Sequence, residues 1–517
     1  MMKVSSSSNS MEGIEGFQGS SSAIKIIQDS YDLGYGRAPG TPFPSSDHMN
    51  HLSQTCVIEQ SIPSPSECVA YEQYVHLSEL TAKWKCKEWL SWPTELLLKP
   101  GLQALEMTFR LISVILCDTR SYIDKEEWKR RLESLTCSQL ELISMICEGD
   151  MEAPTAQLSV SNGVLATKVS QEVWQRPGAS PVVSRISEES LLPRLGTWKR
   201  AESMVSRIWL AIECHMQRAS FTLGLGEPNL SGKPILEYDK ICKPSYLYSF
   251  RQSTQFHNAE DHTLCTVHQI FEAWVFTAQQ LLKKIHQKTD QGDSAGASKD
   301  CWMIERIWKL LTDIESLFLL VDPNDFLCLK HQLAFKGSTS GAYCFKSTAL
   351  RSLADGCRDL RHLVPKVMGV EADPKGGPRL QEAVMQLLHF HRLPRTRLAE
   401  DDSSSVHHSG TIHLLLAFQA IEAAIKKFFF SYQQLVIVVM GSVEMNGPAY
   451  VGISDALFQI YSEPPYFPSV DGAKTFLSDY WYHNPATQME AKMEGLRQSS
   501  GEPSESTRHP TFQSSIP

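Results

Sequence analysis

Hydrophobic residues recur along this chain at steps of three and four, most clearly from Thr411 to Gly441. Leu414, Phe418, Ile421, Ile425, Phe428, Tyr432, Leu435 and Val439 fall on one face of an α-helix. The other flank is also apolar near its end, through Phe429, Phe430 and the run Leu435 to Met440. Such a segment is expected to be a central helix enclosed by others. Order is expected to begin near Pro65, with Tyr71, Tyr74, Leu77 and Leu80 at helical spacing. Pro100 suits the first turn of a helix striped by Leu102, Leu105, Phe109, Ile112 and Leu116. Asp124, with Glu127 three residues on, caps a second helix through Trp128, Leu132, Leu135, Leu142 and Ile146. The two read as an antiparallel hairpin.

Periodicity fades from Glu152 to about Leu191, which predicts a long mobile loop. It resumes around Trp198, with Val205, Ile208, Trp209 and Ile212 facing inward. Asp261 to Gln287 and Ile304 to Val321 carry two further stripes, the second ended by Asp322-Pro323. Pro394 to Ser409 reads as a loop before the central helix, and Ala473 to Trp481 as a last short helix. Strand signals are nearly absent, so the expected fold class is all-α, a multi-helix bundle.

Composition divides this pattern further. Residues 1–60 are rich in Ser, Gly and Pro and, like 484–517, are expected to be disordered tails. Residues 61–250, with the loop at about 152–191, form an expected N-terminal helical region, and 251–483 a C-terminal helical domain. A formal net charge of −9 with no basic run argues against a nucleic-acid partner. The apolar run Leu435 to Met440 is far shorter than the ~20 residues of a spanning helix, so no membrane partner is expected. Thirteen scattered cysteines without a CxxC pair suit a reduced cytoplasmic setting, or a nuclear one.

Four groups of residues invite chemistry. Gly224 and Gly226 could cradle a phosphate, but they lack the third glycine and follow a helix, so a C-capping turn is the preferred reading. His268 sits beside an apolar stripe, where histidine is usually a hydrogen-bonded core residue. His407, His408 and His413 lie in a polar stretch without a fixed second shell, so no metal site is expected. Trp84, Trp89 and Trp92 alternate with Lys83, Lys85 and Lys87; they could anchor a partner, and core burial is equally open.

Several blocks resemble the plant HSPRO family of nematode-resistance-protein-like proteins: Leu98 to Glu106, Thr222 to Glu227, Gly376 to Ala383 and Tyr466 to Ser469. The likeness runs from about Ser61 to His483. It implies a stress- and pathogen-induced protein of basal defence. It also implies that the N-terminal half binds the regulatory subunit of a SNF-related, AMPK-like energy-sensing kinase complex.

The C-terminal half also resembles tryptophan 2,3-dioxygenase, an all-helical haem enzyme. The matching pieces are the helix with His268, Gln269, Glu272 and Trp274, the break at Pro323 to Phe326, the pair Phe345-Lys346, and the helix ending Met440-Gly441. The resemblance implies a tryptophan/indoleamine 2,3-dioxygenase-like scaffold, with His268 as the distal-pocket histidine. The substrate-clamping arginine falls at Lys346, which loses the bidentate fork. The iron-ligating histidine falls at Tyr432, and the substrate-closing loop is replaced by Ser442 to Gly447.

These departures predict a non-enzymatic protein with no catalytic residue, no metal and no cofactor. The alternative is a relic pocket of His268, Lys346 and Tyr432 that holds haem or an indole-type ligand, with residual oxygenase activity. The tetrameric enzyme relatives add a homo-oligomer as a further expectation.

Overall fold

The computed structural model describes residues 65–120, 123–156, 171–174, 182–185, 187–229, 231–249, 260–334, 347–370, 378–390, 402–441, 457–458 and 460–475. All lie within one unit, Ser61–Pro517. Both expected tails, Lys346, Ser442 to Gly447 and Phe476 to Trp481 lie outside the described residues, as do the side chains of His407 and His408.

Helices α1 (Pro65–Tyr74) and α2 (Leu77–Lys85) are separated by His76 in the left-handed region, φ 55°. Then come α3 (Glu95–Cys117) and α4 (Lys125–Cys147), the expected hairpin. Asp124 caps α4 as its sequence suggested, accepting the amides of Glu126 and Glu127. Strands β1 (Thr155–Ala156), β2 (Gln171–Trp174) and β3 (Val182–Arg185) precede α5 (Leu191–Gly196) and α6 (Glu202–His215). Strand β4 (Ile235–Leu236) and short helices α7 (Tyr238–Cys242) and α8 (Pro244–Ser249) close the first half.

The second half holds α9 (Asp261–Asp290), α10 (Ser294–Ser316) with a 3₁₀ turn at Leu317–Leu320, and α11 (Pro323–Ala334). It continues with α12 (Thr348–Asp359), α13 (Val364–Val367), α14 (Pro378–Phe390), α15 (Asp402–Met440) and α16 (Pro468–Thr475).

The helical class holds, with two small exceptions among the described residues. β1 pairs antiparallel with β4, joining Thr155 to Leu236. β2 pairs with β3 inside the span read as a loop, Val173 opposite Val183.

Three helix starts differ from expectation. α3 begins at Glu95 and runs on through Pro100, so the proline lies inside a helix instead of opening one. Reading Pro100 as the start also shortens α3, which among the described residues is the one helix long and apolar enough to cross a membrane. Its most apolar window is 78% buried inside the fold, as in a core helix. α15 begins at Asp402, within the expected loop. α16 begins at Pro468, whose fixed φ suits a first turn.

The centre of the fold is α9, not the segment from Thr411 to Gly441. Every residue of α9 from Thr263 to Ala278 is buried, and so is every residue of α3 from Leu97 to Phe109. The two helices pack on each other where Gly101 meets Trp274; a Cβ at Gly101 would lie 3.3 Å from that indole. α10 lies between α9 and α15, and α15 leaves Phe430 and Val438 exposed. The described residues of 61–250 and of 251–483 therefore share one core.

Candidate functional site

The segment with three tryptophans joins α2 to α3, and its rings part company. Trp84 and Trp92 are fully buried. Trp84 donates from Nε1 to Gln103 Oε1 at 2.8 Å, and Trp92 donates to Asp150 Oδ2 at 2.7 Å. Neither can anchor a partner without leaving the core. Trp89 is half-buried, edge-on to Trp92 at 6.3 Å. Beside it Leu90 is 86% exposed, with Lys83, Lys85 and Lys87 also at the surface.

This corner is held firmly. The buried Glu95 carboxylate accepts the amides of Glu88 at 2.9 Å and Trp89 at 3.0 Å. Lys99 donates to the Cys86 carbonyl at 3.0 Å and pairs with Glu88 at 3.3 Å. An apolar knob flanked by cations thus stands on a fixed base, which lowers the ordering cost of binding.

A second group of residues lies deep between α1, α9, the end of α10 and α15. His268 is buried, its ring 5.3 Å from Tyr71, edge-on, and 4.9 Å from Phe318. Tyr71 donates to Glu272 Oε1 at 2.8 Å, while Ser347 donates to Glu272 Oε2 at 2.8 Å. Burial first, then the neighbouring Glu272 charge, pushes the Tyr71 phenol far above its ordinary range. It therefore stays protonated and acts as a donor.

Glu315 and Tyr432 add to the upward push on the same phenol, and the His268 ring packs edge-on against it. Tyr432 is buried and stacks on Phe428 with centroids 6.1 Å apart. A cavity of about 340 Å³ opens beside Glu315 and Tyr432, walled by Phe428, Leu319 and Leu435.

Two carboxylates escaped the sequence reading. Glu106, wholly buried on α3, accepts from Ser190 Oγ at 2.7 Å, the Leu191 amide at 2.7 Å, Tyr238 at 2.8 Å, and Tyr248. Burial raises its pKa against the pull of those donors. Glu227 accepts the amides of Gly224 at 2.8 Å and Leu225 at 2.6 Å. The glycine loop is thus neither a phosphate cradle nor a C-cap, because its amide nest is filled by the chain's own carboxylate. Gly224 and Gly226 supply the φ values of 78° and 95° that this turn needs. A glutamate inside each of the blocks Leu98 to Glu106 and Thr222 to Glu227 was the available signal.

Residues 40–213 match a family described as Hs1pro-1 N-terminus, and residues 216–483 one described as Hs1pro-1 protein C-terminus. The nematode resistance protein-like HSPRO2 of Arabidopsis thaliana is 42% identical over 454 residues, 86% of this chain and 96% of that relative. The nematode resistance protein-like HSPRO1 of the same plant is also 42% identical, over 430 residues, 81% of this chain and 92% of its own length.

Proposed function

Because this chain belongs to the Hs1pro-1 family, a plant defence-related family, we propose that it acts in basal defence by binding a partner protein and not by catalysis. The partner is the regulatory subunit of a SNF-related, AMPK-like kinase complex, met on the N-terminal helices. The observation that carries this reading is the rigid corner with Leu90 at its tip and Lys85 and Lys87 beside it. An exposed leucine on a braced turn between cations is the form of an interface anchor. The test is co-purification of the regulatory subunit with the full-length chain and with a Lys85→Glu, Lys87→Glu, Leu90→Asp variant. Capture by the first and loss in the second are expected; equal capture by both overturns the assignment of this surface.

The second reading, a small-ligand relic of a dioxygenase-type scaffold over 251–483, draws on the packing of His268 against Tyr71 and on the nearby cavity lined by Tyr432. The residues fit haem poorly, since Tyr71 and Phe318 pack directly on the His268 ring. A Soret band after haem addition, abolished by Tyr432→Phe or His268→Ala, would favour the relic; its absence removes haem from the reading.

A further inference from the structure

A separate cavity lies between α4, the end of α6, the first turns of α10, and α15. Its volume is about 650 Å³, within the range of small-molecule sites. Gly410 of α15 seats against the start of α10, where an added Cβ would lie 3.3 Å from the Ala295 nitrogen, and so closes one end.

Among the described residues that line this cavity, the charges do not balance. Lys299 Nζ lies 3.1 Å from Glu148 Oε2 and Arg218 Nη1 lies 3.6 Å from Glu148 Oε1, so one carboxylate serves two cations. Arg306 pairs with Glu141. Three fixed cations therefore face two carboxylates, with His215 and His413 also on the wall. Arg218 is 81% exposed along its side chain, which leaves its planar fork accessible for two-point bonding to an oxyanion. On the same wall Trp302 is 37% exposed and offers an indole to the cavity. A flat ring would stack there while its acidic group met Arg218 and Lys299.

We propose that this cavity binds a small aromatic anion, an aryl carboxylate or aryl phosphate. The site is independent of the kinase-facing corner and of the buried group around Tyr71. Calorimetric titration of the full-length protein with benzoate, phenyl phosphate and the cationic control benzylamine tests it. Saturable binding of at least one anion, absence of amine binding, and about tenfold weaker anion binding in Arg218→Gln/Lys299→Gln and in Trp302→Ala are expected. Circular dichroism confirms that these variants stay folded, and Lys199→Gln, outside the cavity, leaves affinity unchanged. No anion binding at millimolar concentration, equal binding of the amine, or indifference to the cavity variants overturns the proposal.

Discussion

At the residue scale, Glu106 shows how one buried carboxylate ties distant parts of the chain together. Its donors come from Ser190, Leu191, Tyr238 and Tyr248, all on segments far along the sequence. Glu106→Gln turns an amide NH₂ toward those donors and is expected to cost about 2–3 kcal/mol in urea unfolding, against about 1 kcal/mol for Tyr238→Phe. A loss under about 0.5 kcal/mol for Glu106→Gln would contradict the network.

Asp118 supplies a pH signature. The side-chain hydrogen bond from Arg120 Nε, at 3.0 Å, holds its carboxyl below the ordinary 3.8. A lowered folded pKa means that the unfolded chain binds more protons in acid. The stabilisation is therefore present above 3.8 and lost as pH falls through and below it. The stability gap between wild type and Asp118→Asn should narrow from about pH 5 to about pH 3; a constant gap would refute the pairing. Little of this residue-level detail was legible beforehand. Single residues such as His268 and Tyr432 could be placed on apolar stripes, but partners such as Tyr71, 201 positions from Glu272, come together only through the fold.

At the element scale, periodicity located the long helices well and their ends poorly. Asp124 was readable because a cap acts on amides two and three residues away. The starts of α3 and α15 were hidden because Pro100 and the Ser-rich run at 403–405 mimic boundaries. Apolar faces on several sides also misplaced the centre. The stripe of α15 records what it could bury, while the burial of α9 from Thr263 to Ala278 depends on α3 and α10 both packing on it. Gly101 fixes that contact, because Trp274 is pinned by its Nε1 bond to Gln139 Oε1 at 3.1 Å and cannot easily move aside. Gly101→Val should cost about 1–3 kcal/mol through overpacking, read as a lower thermal midpoint; an unchanged midpoint would mean that the two helices have slack.

At the scale of the whole molecule, the described parts of the two halves matched by the family descriptions share a single helical interior. The proposed partner surface on the first half is therefore to be tested in the intact chain. The proposed defence role needs only that chain and its exposed corner. The most direct measurement is titration of purified kinase regulatory subunit into the purified full-length protein, verified beforehand to lack a Soret band. A saturable complex formed by the haem-free protein, and weakened by the Lys85, Lys87 and Leu90 substitutions, is predicted. No complex, or one that forms only after haem is supplied, would contradict the account.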